Sequence, residues 1–125
     1  MGKKFLIDTN ALIDAQMKKL PEKGLQFLAH VINQDFIVSF ITYIEFLGYK
    51  DASKATEDFI ALADVVEVNK IIIDTCIALR KARRIQLPDA IIAASALAYG
   101  YTLITNNEKD FTNISGLEIV NPMKL

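Results

Sequence analysis

The chain has 125 residues, 52% of them hydrophobic, and a formal net charge of −1. That length suits one domain spanning residues 1–125, and that composition excludes a disordered chain. One histidine and one cysteine exclude an internal disulfide, a zinc site of the usual His/Cys type and a pair of catalytic histidines.

The first residues run straight into a strand-like segment without the long apolar stretch of a signal peptide, so a cytoplasmic protein is expected. No apolar run approaches the roughly 18 residues of a membrane span, and no membrane association is expected. The near-neutral charge does not mark a dedicated nucleic-acid binder. Acids gathered around a metal ion would, however, offset basic residues placed elsewhere.

In chain order, Lys3 to Ile7 reads as a short buried strand, and Ala11 to Met17 as the start of a helix. A helix with Leu25, Phe27, Leu28, Val31 and Ile32 at helical spacing follows, then a strand over residues 36–39. Thr42 to Lys50 reads as a helix carrying Glu45, and Ser53 as the cap of another. Residues 65–68 are β-branched and strand-like. Ile71 to Arg84 forms a helix with Ile72, Cys76 and Leu79 inward and Arg80, Lys81, Arg83 and Arg84 at its end. A helix from Pro88 to Tyr99 is stopped by Gly100, and strands over 101–105 and 117–120 complete the chain. Short strands alternating with helices predict an α/β fold with a mostly parallel sheet.

In such a sheet the functional crevice lies beyond the carboxyl ends of the strands. Asp8 follows the first strand. Asn106, Asn107 and Asp110 follow the strand over 101–105, and Asp89 opens the helix leading into that strand. Each acid has an ordinary explanation when taken alone. Asp8 can cap a helix, Asp89 can favour a helix start, Glu45 can point to water, and Asp110 can cap a turn. His30 and Cys76 both fall in helix-like apolar patterns, where packing is the simpler reading. Taken together, several acids brought to one edge would repel one another unless a divalent cation joined them. Oxygen-only ligands select Mg²⁺ or Mn²⁺.

Four segments carry a resemblance. They are Phe5-Leu-Ile-Asp8-Thr-Asn10, Ile41-Thr-Tyr-Ile-Glu45, Leu87-Pro-Asp89-Ala-Ile-Ile-Ala-Ala94, and Leu103-Ile-Thr105-Asn-Asn-Glu-Lys-Asp110-Phe. In order, spacing and flanking residues this set is similar to the motifs of the PIN-domain family, and at this length to its VapC-type toxins. The resemblance implies a three-layer α/β/α sandwich around a parallel sheet. It also implies Mg²⁺- or Mn²⁺-dependent endoribonuclease activity, a homodimer, and a small VapB-like antitoxin partner. Asp8, Glu45 and Asp89 match the family's first three acids. The fourth acid is expected at Asn107, and Asp110 is the candidate stand-in for it. Thr9, Asn10 and Thr105 match polar positions that orient acids or water.

Arg80, Lys81, Arg83 and Arg84 are candidates for contact with RNA phosphates. Tyr43, Phe46, Leu47 and Tyr49 crowd one helix, and some of them are candidates for a dimer face or antitoxin groove. The rival reading is a catalytically silent PIN-like module that binds RNA or protein; the absent acid at Asn107 is its support. A phosphoacceptor domain would need an acid pair after the first strand, where Thr9 and Asn10 stand instead.

Overall fold

The computed structural model describes residues 3–48, 50 and 52–125. Tyr49 lies outside the described residues.

The strands are three residues long or shorter: β1 (Phe5–Ile7), β2 (Ile37–Ser39), β3 (Asp64–Val66), β4 (Thr102–Ile104) and β5 (Ile119–Val120). Between them run α1 (Thr9–Gln16), α2 (Glu22–Gln34), α3 (Phe40–Leu47), α4 (Lys54–Ile60), α5 (Lys70–Ala82) and α6 (Leu87–Tyr99). Short 3₁₀ turns cover Glu108–Asp110 and Pro122–Lys124. Every pairing is parallel. β1 joins β4 and β4 joins β5 in one sheet, and β2 joins β3 in another. β1 and β2 pack side by side, but no ladder bridges the two sheets among the described residues.

Period-two alternation along these short strands builds the layers. Ile7, Val38 and Ile104 point to one face, where Ala11, Leu12, Leu28, Val31, Phe46 and Ile60 of α1 to α4 cover them. Leu6, Ile37 and Leu103 point to the other, against Ile92, Ala93 and Ala96 of α6 and against Phe111 and Ile114. Ile72 and Cys76 of α5 pack on Ala90 and Ala94 of α6. Alanines on two faces of α6 let it sit between the sheet and α5, which is why that helix is apolar almost all round. The expected three-layer α/β/α arrangement is therefore present, and Cys76 is a packing residue in it.

The helix ends follow local chemistry. Ser39, Ser53 and Asn69 accept backbone hydrogen bonds at the starts of α3, α4 and α5. Gly100 ends α6 with φ +69°, a left-handed conformation that costs a residue with a Cβ. The helix expected from Ala11 begins two residues earlier, at Thr9, because the Asp8 side chain accepts from the Thr9 N–H.

The crowded α3 also finds places for its side chains. Phe46 is buried, Tyr43 and Leu47 pack half-buried on the core, and Ile44 is left 58% exposed. Leu25, expected inward, is 40% exposed, and His30 is on the surface.

Candidate active site

Asp8 sits one residue beyond β1, and Thr105 one residue beyond β4. Because β1 and β4 are paired in register, both side chains emerge at the same sheet end. The Thr105 hydroxyl donates to Asp8 Oδ2 at 2.8 Å, and the Thr9 N–H donates to Oδ1 at 2.8 Å. Each carboxylate oxygen thus spends one lone pair and keeps another. Asp8 is only 3% exposed. Burial is the largest influence on it and drives its carboxyl up to about 6. The hydrogen bonds from Thr105 and Thr9 oppose this, and the charges of Asp89 and Glu45 add to it.

Glu45 lies on α3 and is solvent-exposed, yet it is tethered. The Thr9 hydroxyl reaches Glu45 Oε1 at 2.6 Å. That same hydroxyl lies 3.0 Å from the hydroxyl of Thr42 on α3. Asp89 stands half-buried in the first turn of α6, two residues after Leu87. Its carboxyl is also raised, first by burial and then by the charges of Asp110 and Glu45. Asp110 closes the 3₁₀ turn after β4, where the Asn107 side-chain amide donates to its Oδ2. The backbone N–H of Asn107 in turn donates to Thr105 Oγ1 at 3.0 Å.

Asp8, Glu45 and Asp89 thus stand within electrostatic reach of one another, and Asp110 within reach of Asp89. None of the four forms an ion pair with a lysine or arginine among the described residues. Like charges in a partly desolvated place without a countercharge favour a bound cation. The donors are all oxygens, which fits Mg²⁺ or Mn²⁺. Among the described residues no three acids, histidines or cysteines already form a ligand set.

The remaining candidates separate. Asn10 is exposed on α1, with no side-chain hydrogen bond among the described residues. Arg80, Lys81 and Arg84 are exposed. Arg83 is half-buried and donates through Nη1 to the Thr112 carbonyl, so it braces the chain just beyond Asp110. Two contacts have no counterpart in the sequence reading. Thr42 is completely buried against Thr9, and the Asn106 amide donates to Asp14 Oδ2 of α1. The one signal for Thr42 is its place three residues before Glu45, on the same helix face, in an otherwise apolar run.

Residues 5–117 match the PIN domain family. A 32-residue stretch is 53% identical to Ribonuclease VapC1 of Rickettsia felis, covering 26% of this chain and 24% of that protein; the chain thus matches about a quarter of that curated relative's length. A toxin–antitoxin complex from Klebsiella pneumoniae contains a chain 30% identical, with a TM-score of 0.75 and coverage of 95% of this chain and 98% of that one. VapBC-1 from nontypeable Haemophilus influenzae shares the fold, with a TM-score of 0.78 at 24% identity, over 94% of this chain and 97% of that one. With the match running through all four of the acid-bearing segments, the chain belongs to the PIN domain family.

Proposed function

We propose that this chain is a divalent-metal-dependent endoribonuclease and the toxin of a toxin–antitoxin pair. The observation that carries this reading is the mutual proximity of Asp8, Glu45 and Asp89, with Asp110 beside Asp89, and no cationic partner for any of them among the described residues. The names of the relatives support it. One is a ribonuclease, and the Klebsiella pneumoniae structure is a toxin–antitoxin complex.

In this reading Asp8 and Asp89 would hold Mg²⁺ or Mn²⁺. Glu45 would share the ion or orient the attacking water, and Asp110, held by Asn107, would add charge beside Asp89. The bound cation supplies charge neutralisation at the phosphate and a more acidic water. The protein's own groups do the positioning. Thr105 and the Thr9 N–H fix the two oxygens of Asp8, and the Thr9 hydroxyl fixes one oxygen of Glu45. Water attacks the phosphodiester in line, and one P–O bond breaks without a covalent enzyme intermediate. Arg80, Lys81 and Arg84 are exposed near the start of α6 and are suited to RNA phosphates, which add affinity rather than sequence choice.

A VapB-like antitoxin is the proposed protein partner. A cavity of about 400 Å³ bordered by Glu45 is lined by Ile13, Met17 and Phe46 as well, and apolar walls beside that one acid suit a blocking peptide. A homodimer is proposed as well, supported by exposed Ile73 and Ile77 on the outer face of α5.

The silent-module reading rests on Asn107. Against it, Asn107 hydrogen-bonds Asp110, which brings an acid beside the empty fourth position. Mapping cut sites in total RNA tests the two. The nuclease reading expects defined cuts with Mn²⁺, their loss in EDTA, and their return when Mn²⁺ is restored. Intact RNA at a Mn²⁺ concentration shown by calorimetry to saturate the protein supports the silent module.

A further inference from the structure

We propose that Thr42 is a positioning residue for the candidate nuclease site, acting through Thr9 to aim Glu45; this rests on the nuclease reading above. The Thr9 hydroxyl oxygen lies 2.6 Å from Glu45 Oε1 and 3.0 Å from Thr42 Oγ1. A hydroxyl has one proton, and an ionised carboxylate only accepts. Thr9 therefore gives its proton to Glu45, and the proton between the two threonines comes from Thr42. The order is Thr42 O–H to Thr9 O, then Thr9 O–H to Glu45 Oε1. No other order gives Glu45 a donor.

Burial makes the order rigid. Thr42 is 0% and Thr9 5% exposed, so neither hydroxyl can turn to bulk water without leaving a buried oxygen unpaired. Glu45, by contrast, is on the surface, where a glutamate side chain keeps most of its rotamer freedom. The buried pair converts that mobile carboxylate into one with Oε1 held and Oε2 left for the ion or the attacking water. Thr42 and Glu45 stand three residues apart on α3 and so share a face, while Thr9 comes from α1. The relay thus sets the site end of α3 against α1. Among the described residues the Thr42 hydroxyl bonds to Thr9 and to none of the four acids, so its effect passes through Thr9.

The test compares Thr42→Val, which keeps the shape and loses the hydroxyl, with Thr42→Ser, which keeps the hydroxyl. Steady-state cleavage of an RNA oligonucleotide in saturating Mn²⁺ is measured for each. Thr42→Val should lower kcat about tenfold, the size of effect seen when a group supporting a metal site is removed. KM should stay within about twofold, because RNA binding does not use this hydroxyl. Thr42→Ser should recover most of the rate, and adding Thr42→Val to Thr9→Val should cost nothing further.

Wild-type kcat in Thr42→Val, or equal impairment in Thr42→Ser, overturns the relay. If thermal melting shows Thr42→Val unfolded, Thr42→Ala removes the same hydroxyl without filling its space and carries the same expectation. Asp8→Asn separates the two levels. Cleavage surviving in Asp8→Asn overturns the nuclease site itself, whereas an inactive Asp8→Asn beside a fully active Thr42→Val overturns the relay alone.

Discussion

The hydroxyl of Thr105 donates to Asp8 Oδ2 at 2.8 Å, joining the end of β4 to the end of β1 across 97 residues of sequence. The bond favours the ionised carboxylate, which burial opposes. Thr105→Val removes the donor and keeps the shape, so the Asp8 carboxyl should rise further. The acid limb of the pH–rate profile should then move to higher pH, and cleavage near neutrality should fall about tenfold. An unmoved acid limb would show that Asp8 does not control it.

The same carboxyl links stability to pH. Its folded value, about 6, stands above the ordinary 3.8. A raised value means that the folded state holds the proton more tightly. The associated stability is complete below about pH 4 and is lost as pH rises through 6. A shift of this size corresponds to about 3 kcal/mol. In metal-free protein, Asp8→Asn should therefore raise the melting temperature at pH 7.5 by several degrees and have little effect near pH 4. Asparagine keeps an acceptor for the Thr9 N–H. A lower melting temperature for the variant at pH 7.5 would contradict the assignment.

Asp110 and Asn107 should not be equal. Asp110→Asn removes a charge near Asp89 and should weaken Mn²⁺ binding about tenfold in calorimetry. Asn107→Ala removes only the amide that orients Asp110, so its effect should be smaller. Equal affinities for wild type and Asp110→Asn would remove Asp110 from the shell.

Away from the site, Gly24 of α2 packs against the end of the chain. A Cβ added there would lie 1.9 Å from the Pro122 carbonyl oxygen, closer than atoms can approach. Gly24→Ala should destabilise the fold by roughly 1–3 kcal/mol, despite alanine's better helix propensity. Chemical denaturation with an unchanged midpoint would show that the contact yields freely.

Legibility from sequence followed the range of the interaction. Asp8 and Asp89 could be placed because a strand end and a helix start are local events. The two-faced burial of Leu6, Ile7, Leu103 and Ile104 was legible as short apolar runs. The break between the β1–β4–β5 and β2–β3 ladders was not, because residue patterns carry no hydrogen-bond register. Thr42 and Asp14 stayed hidden for a similar reason. Their partners, Thr9 and Asn106, lie 33 and 92 residues away, and a polar residue on a helix signals nothing until the facing element is known. Charge alone places Arg83 with its exposed basic neighbours, whereas its half-buried bond to the Thr112 carbonyl sets it apart.

In the proposed reaction, RNA cleavage depends on a cation held by Asp8 and its neighbouring acids. Cleavage of a total-RNA preparation by purified wild type and Asp8→Asn, at the same Mn²⁺ concentration and pH, tests this dependence most directly. The wild type should give defined cuts, and a folded Asp8→Asn protein should leave the RNA intact. Full cleavage by Asp8→Asn, with its melting curve showing a folded chain, would contradict it.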